Sequence, residues 1–557
     1  MAEAQEITID DVELQAQGYE RTMPRQFSMV SLMALSYALL ATWNGFGRFV
    51  STEPTGNVIC ILTLRQNSAI GIGLNEAGAA GTIYSLIIAD VLTGTVATGM
   101  AELSSAYPTA GAQYYWSFMA SSPEWAPFAS YLSASVSTLG WWLGLGSVCQ
   151  FIAAMILGMV KLCNESYVIK DWHIWLCYVA VIWTACTLVI VGSRILPAFN
   201  NFMMYFSFAA LIATFITLLA CAAPNYRSTT WVFATTSNAT GWNSDGFAFV
   251  LAILNALYGF LGVDAGAHMC EEIPNPTVNV PKVIIYPVII GFVTALPFSI
   301  ACMYVISDLD AVLGTETGLP LMGLYFQATG SKAATVVLMS AFAICMFGAA
   351  CANITSSSRQ MWAASRDNCY PFSRYWKQIH PKWHMPFNVV CLTGTLVSLY
   401  GLIFLGSSTV FSSMVGACIV FMTTSYVIPQ GILAWRGRDK ILPERPFNLG
   451  AWGLPVNIIS CIWVACIDVL FCFPSVMPVT KNNMNWISVV IIGLCSYILI
   501  AWHVSQKKNF KGPKVDLPRL RRLREEARGK GLVSIEGSGI HEGPRETLAD
   551  KASGKKE

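Results

Sequence analysis

Four carboxylates lie inside or at the edge of strongly apolar stretches of this 557-residue chain: Asp90, Glu102, Asp264 and Asp468. In hydrocarbon an ionised carboxylate costs on the order of 3 kcal/mol even on insertion scales, so each is a candidate for holding a cation or carrying a proton. Asp264 stands out. It ends the glycine-interrupted run Tyr258-Gly259-Phe260-Leu261-Gly262-Val263-Asp264 and precedes His268 by four residues, which puts acid and imidazole on one face if the segment is helical. A second interruption, Trp43-Asn44-Gly45-Phe46-Gly47, falls in the first apolar stretch. The aromatics beside the two interruptions, Trp43, Phe46, Tyr258 and Phe260, together with Trp141 and Trp142, suit a cationic ligand, since a ring face attracts an ammonium by roughly 0.5 to 2 kcal/mol. Each feature also has a plainer reading. Asp264 could cap a half-helix starting at Ala265, glycine pairs let helices approach closely, and tryptophans collect at lipid interfaces.

The elements that carry these residues are set by composition. A chain that is 54% hydrophobic and 12% charged does not make a water-soluble globule with a charged skin. Crossing a bilayer takes roughly 20 apolar residues per helix. Such runs lie near 27–49, 79–101, 126–160, 172–192, 196–222 and 246–270, then near 283–307, 333–362, 386–407, 409–434, 453–474 and 484–504. The expected fold is therefore an all-α polytopic membrane protein of about twelve transmembrane helices. Residues 27–504 form the membrane domain, 1–26 an N-terminal cytoplasmic tail, and 505–557 a basic cytoplasmic tail too poor in large apolar groups to fold alone. The first run is long enough to span and remain, so insertion is expected to use it rather than a cleaved leader.

Orientation follows from basic residues, which collect on the cytoplasmic side. Arg359, Arg366, Arg374, Lys377 and Lys382 follow the eighth run, and Arg436, Arg438, Lys440 and Arg445 follow the tenth. With twelve spans both termini are cytoplasmic. The sequons at Asn164 and Asn238 then fall outside, as glycosylation requires, while that at Asn353 lies within a span and is expected to be silent. The basic stretch from Lys507 to Arg524 can meet anionic lipid headgroups or serve as a topological anchor.

Backbone that leaves the helix at membrane depth is tolerated where it lines a cavity. Interrupted helices at matching positions of two halves point to the midplane binding site of a transporter. The first and sixth runs open two successive five-helix sets, so substrate is expected between them, at Trp43, Asn44, Gly45, Phe46, Gly47, Tyr258, Gly259, Phe260, Gly262 and Asp264. Asp264 is also the candidate for proton coupling. Among other chemistries, no Walker loop occurs, and prolines at 381 and 386 spoil a zinc helix at His380 and His384. No metal, cofactor or nucleic-acid partner is expected, and the chain does not read as an enzyme.

Four stretches resemble the fungal amino acid/choline branch of the amino acid-polyamine-organocation superfamily, similar to yeast choline and GABA permeases. They are Ala101-Glu102-Leu103-Ser104-Ser105-Ala106-Tyr107-Pro108-Thr109-Ala110-Gly111, Glu271-Glu272-Ile273-Pro274-Asn275-Pro276, Asp308-Leu309-Asp310-Ala311-Val312-Leu313 and Ser365-Arg366-Asp367-Asn368. The resemblance implies two inverted five-helix repeats, as in leucine-transporter-like proteins, plus two C-terminal helices. It also implies proton-driven carriage of a small amino acid or amine such as choline or GABA across the plasma membrane by alternating access. An amine-bearing specialised metabolite as substrate, or a non-transporting nutrient receptor on the same scaffold, are the alternatives. One stretch departs from the pattern: polar residues 51–67 separate the first interruption from the next glycine-rich segment. Excising Val50 to Gln66 restores the spacing, and Val50-Ser51 and Leu62-Thr63 can be encoded by GTAAGT and CTAAC, so the segment reads as a retained intron, the alternative being a genuine outer loop inserted next to the site.

Overall fold

The computed structural model describes residues 8–40, 42–45, 69–315, 317–480, 483–516, 518, 519 and 522. Phe46, Gly47 and the segment 50–66 lie outside the described residues. Those described form helices and connections without strands. Ten helices are long and apolar enough to cross a membrane, and two shorter apolar ones accompany them.

Twelve spans follow in order among the described residues: α1 (Met29–Leu40 and Thr42–Gly45), α2 (Ala69–Ala106), α3 (Ala126–Cys163), α4 (Asp171–Val191), α5 (Leu196–Ala222) and α6 (Asp245–Ala256). The second half comprises α7 (Pro276–Val305), α8 (Lys332–Arg366), α9 (Phe387–Tyr400, resumed at Leu402–Gly406), α10 (Ser408–Arg436), α11 (Gly453–Leu470) and α12 (Ile487–Ala501). The spans divide into the sets α1–α5 and α6–α10, the second of which begins with a short, interrupted helix. They begin at opposite faces of the bundle. The start of α1 adjoins the α6–α7 connection, where the Phe27 N–H donates to the Glu272 carbonyl at 3.1 Å. The start of α6 adjoins the α11–α12 connection, where Trp242 Nε1 donates to the Pro474 carbonyl at 3.1 Å. Inverted repeats plus two added helices are therefore the architecture. We call the first of these the terminal face, because the segments flanking both ends of the bundle meet there, Asp516 N–H donating to the Ala16 carbonyl at 3.0 Å.

The second span begins ten residues before the apolar run predicts, at Ala69 rather than near 79. Gly78 explains the difference: its backbone (φ 71°, ψ −170°) turns the chain and divides α2 into pieces 69–77 and 79–106. A side chain there would strike the α5–α6 connection, with an ideal Cβ 2.6 Å from the Ser237 nitrogen. Residues 69–77 form a half-helix that ends near the face opposite the termini, where the Ala239 N–H of the α5–α6 connection donates to the Asn75 carbonyl at 2.8 Å. This half-helix packs with α6, where Asn255 Nδ2 donates to Glu76 Oε2 at 2.6 Å. Small residues bring α3 against α10: a Cβ on Gly140 would sit 2.6 Å from Met422 Cγ, and one on Gly144 3.1 Å from Cys418 Sγ. In lipid such close approach replaces the hydrophobic driving force between helices. It places Trp141 of α3 and Tyr426 of α10 beside the break in α6.

Candidate substrate and proton site

After Ala256 the sixth span tightens into a 3₁₀ turn, Leu257–Phe260, loses helical form through Leu261 to Gly266, and resumes as a 3₁₀ turn at Ala267–Glu272. Gly262 takes φ +86°, which L side chains rarely adopt, and an ideal Cβ there would lie 2.5 Å from Leu39 Cδ2 of α1. Glycine is thus required both by the turn and by the close approach of α1. The freed Gly262 N–H donates to the Tyr426 hydroxyl at 3.3 Å.

Asp264 is completely buried in this turn. Its Oδ1 accepts from the Tyr426 hydroxyl at 2.9 Å, and its Oδ2 accepts from Gln113 Nε2 at 2.6 Å. His268 Nε2 lies 3.0 Å from the same Oδ2, and the other ring nitrogen, Nδ1, lies 3.0 Å from the Ala110 carbonyl. A carbonyl only accepts, so Nδ1 carries hydrogen. The Nε2–Oδ2 contact then needs one further proton, held either as imidazolium against carboxylate or as neutral imidazole against carboxylic acid. The pair is satisfied with that proton and sets lone pair against lone pair without it. Asp264 does not spend its side chain capping the turn that follows; among the described residues its partners are these three side chains.

The aromatics expected around the breaks separate into two groups. Trp43 is buried, donates from Nε1 to Ser207 Oγ at 2.9 Å, and meets Phe298 and Phe342 edge-on at 5.4 and 5.6 Å. It packs α1 against α5, α7 and α8. Trp141, also fully buried, stands edge-on to His268 at 5.8 Å, whereas Trp142 points away and donates to Thr393 Oγ1 on α9 at 3.1 Å. Asn44 and Gly45 belong to the helical stretch Thr42–Gly45 of α1. Gly259 faces it, an ideal Cβ being 3.4 Å from the Thr42 carbonyl. Phe260 and Tyr426 line a small cavity of about 20 Å³ between α2, α6, α10 and α11, room for about one water. Tyr258 lines a larger cavity of about 160 Å³ that reaches Phe473 and Asn485 in the α11–α12 connection.

On the terminal face the path from the break is closed by ion pairs. Arg366 grips Glu271 through two bonds of 2.9 and 2.6 Å, and Arg359 Nε donates to Glu272 at 3.0 Å with both side chains buried. The Arg366 guanidinium is sandwiched between the rings of Tyr19 and Trp362, 4.0 and 4.2 Å from their centroids. Tyr19 and Tyr114 both donate to Asp367, at 2.6 and 3.0 Å. The segment before α1 therefore lies strapped beneath the closed end, held also by the Asn275 N–H on Asp10 at 3.0 Å and by Tyr115 on the Gln17 carbonyl at 3.2 Å. Burial pushes the Asp10 carboxyl above its usual range.

The remaining acids have other surroundings. Glu102 is clamped by Arg438 and Arg445 from the α10–α11 connection, which ties down the end of α2. Asp468 accepts from Thr424 Oγ1 at 2.9 Å, and Asp90 sits half-buried on α2. The sequon residues Asn164 and Asn238 lie in the α3–α4 and α5–α6 connections, away from the terminal face, whereas Asn353 is buried within α8. Sequence reading missed Gln113, Tyr426 and Glu76. The first two are ordinary polar residues 151 and 162 positions from Asp264, and no local pattern marks them. Glu76 lies in the half-helix 69–77, whose Gly71 and Gly73 pattern was the available signal.

The family described as amino acid permease matches residues 27–495, and the chain belongs to that family. Similar proteins include a choline transporter of Saccharomyces cerevisiae, 32% identical over 87% of this chain and 82% of the yeast protein. Amino-acid permease 2 of Neurospora crassa is 27% identical over 91% and 90% of the two chains, and Amino-acid permease BAT1 of Arabidopsis thaliana 27% over 90% and 96%. The chain is thus a multi-pass membrane transporter of amino acids or amines.

Proposed function

We propose that the chain is a proton-coupled secondary transporter that carries a small amine or amino acid, choline and GABA being the leading substrates, across the plasma membrane by alternating access. The observation that carries this reading is the buried Asp264–His268 pair in the break of α6, which completes its hydrogen bonds only with one shared proton. Substrate occupies the space between the interrupted first and sixth spans, from Asn44 to Gly47 and from Tyr258 to Asp264, with Trp43 supporting the packing. The terminal face is cytoplasmic, so residues 8–26 and the segment after α12 belong to cytoplasmic tails flanking a transport domain of 27–504. The basic stretch from Lys507 onward meets anionic headgroups there.

In the described state the cytoplasmic end is shut by Arg359, Arg366 and their glutamates, while a cavity lies on the other side of the break. A proton taken up from outside completes the Asp264–His268 contact and stabilises the turn. Loss of that proton to the cytoplasm sets Nε2 against Oδ2 and loosens Tyr426 and Gln113, which hold the same carboxylate. The cycle thereby couples proton release to inward opening. The similarity to a choline transporter supports an ammonium-bearing substrate. The test is uptake of a radiolabelled panel in permease-deficient yeast, followed by reconstitution in liposomes with an imposed pH gradient. Gradient-driven accumulation of an amine or amino acid is the expected result. Binding without accumulation would overturn it.

A further inference from the structure

We infer that Glu76, on the half-helix 69–77, anchors an outer binding site for an organic ammonium and so selects cationic amines over zwitterionic amino acids. This rests on the transport reading above and adds a substrate class to it.

Glu76 is 2% exposed. Its Oε2 accepts from Asn255 Nδ2 of α6 at 2.6 Å, and the same Nδ2 is steered by the Leu251 carbonyl at 3.3 Å. Its Oε1 is buried and takes no hydrogen bond among the described residues. The contrast with the other fully buried acids is specific. Glu102, Glu271 and Glu272 each have arginine, and Asp264 has three side-chain partners. Glu76 has one neutral amide. A buried carboxylate in that position calls for a cation to complete it.

Glu76 is also the acid that lines the 160 Å³ cavity. That volume is close to the roughly 150 Å³ cavity that admits one benzene, the size of a small ammonium compound of six or seven heavy atoms. The cavity is also lined by Leu251, Leu254, Tyr258 and Phe471 and by Ser412 and Ser413. Among the described lining residues there is no lysine, arginine or histidine, so a ligand's carboxylate finds no counter-charge. An inorganic cation would need several converging oxygens to replace its hydration shell. An ammonium with carbon substituents instead sets its charge on Oε1 and its methyl or methylene groups on the apolar and aromatic walls.

The test uses the full-length protein in lipid nanodiscs. Choline, its neutral isostere 3,3-dimethyl-1-butanol and the zwitterion alanine are each titrated against thermal unfolding of the wild type, Glu76→Gln and Glu76→Asp. Choline is expected to stabilise the wild type where the isostere and alanine do not, with at least tenfold weaker binding in Glu76→Gln and partial recovery in Glu76→Asp. If Glu76→Gln does not fold, labelling of wild-type Glu76 by a hydrophobic carbodiimide, read by mass spectrometry, takes its place. Choline should then slow labelling at Glu76 and the isostere should not. Unchanged choline affinity in folded Glu76→Gln, or undiminished labelling, overturns the site even if gradient-driven uptake persists. Equal protection by sodium or potassium, relative to a sorbitol medium, makes it an inorganic-cation site and overturns the ammonium assignment. Glu76-dependent choline binding without transport of any substrate would leave the site standing and overturn the transport reading.

Discussion

His268 Nε2 stands 3.0 Å from Asp264 Oδ2, with both side chains at zero exposure and the opposite ring nitrogen already committed to a backbone carbonyl. Asp264→Asn keeps the shape and removes the shared proton. Surface expression should be normal and transport reduced at least tenfold, about 1.4 kcal/mol in a rate or binding free energy. Wild-type transport by this variant between roughly pH 5 and 7 would exclude Asp264 as recognition group and as proton carrier.

Tyr426→Phe removes one hydroxyl that serves two groups, the Asp264 carboxylate and the freed N–H of Gly262. Two buried polar groups lose a partner, at about 1–3 kcal/mol each before relaxation. A clear fall in melting temperature is expected in detergent, and a variant as stable as wild type would show that the break does not depend on this clamp.

Replacing Arg359 with methionine leaves Glu272 buried and uncompensated, at about 3–5 kcal/mol. The double variant with Glu272→Gln should recover most of that loss, because both charges are gone. The exposed pair Lys332–Glu165, 2.6 Å apart on the other face, is a control: Lys332→Met should leave melting unchanged within error. Equal losses from both lysine and arginine replacements would contradict the role of burial.

Asn164 and Asn238 should carry glycans, each lost singly on replacement with glutamine and seen as a mobility shift after expression in yeast. A protease-protected tag inserted in the 223–244 connection of intact cells would reverse the assigned orientation.

Transcripts should lack the codons for Val50 to Gln66, and the protein without them should transport. Sequenced cDNA that always retains the codons, with loss of transport on their deletion, would make the segment a structural element.

Most of the architecture was legible because long apolar runs leave helices as the means of satisfying backbone in lipid. Spans such as α3, α4, α5 and α10 begin within a few residues of their hydropathy limits. Piece 69–77 escaped because Asn75 and Glu76 depress its hydropathy and Gly78 turns the backbone before the next apolar run. At the site, the glycine break and its acid were visible as a local pattern, and Asp264 and His268 do meet. Their partners were not, because Gln113, Ala110 and Tyr426 arrive through tertiary packing. Trp43 illustrates the opposite difficulty: an aromatic beside glycines looks ready for an ammonium, yet its N–H is held by Ser207 and its ring packs at right angles to Phe298 and Phe342.

The strap beneath the terminal face has a practical consequence. Tyr19 touches both Arg366, through its ring, and Asp367, through its hydroxyl, so α8 cannot move away from Glu271 without breaking or dragging the segment before α1. That segment lies off the substrate path. A spin label placed within it, paired with one on the α8–α9 connection, would act as a gauge whose distance distribution reports each inward opening without a probe in the translocation route.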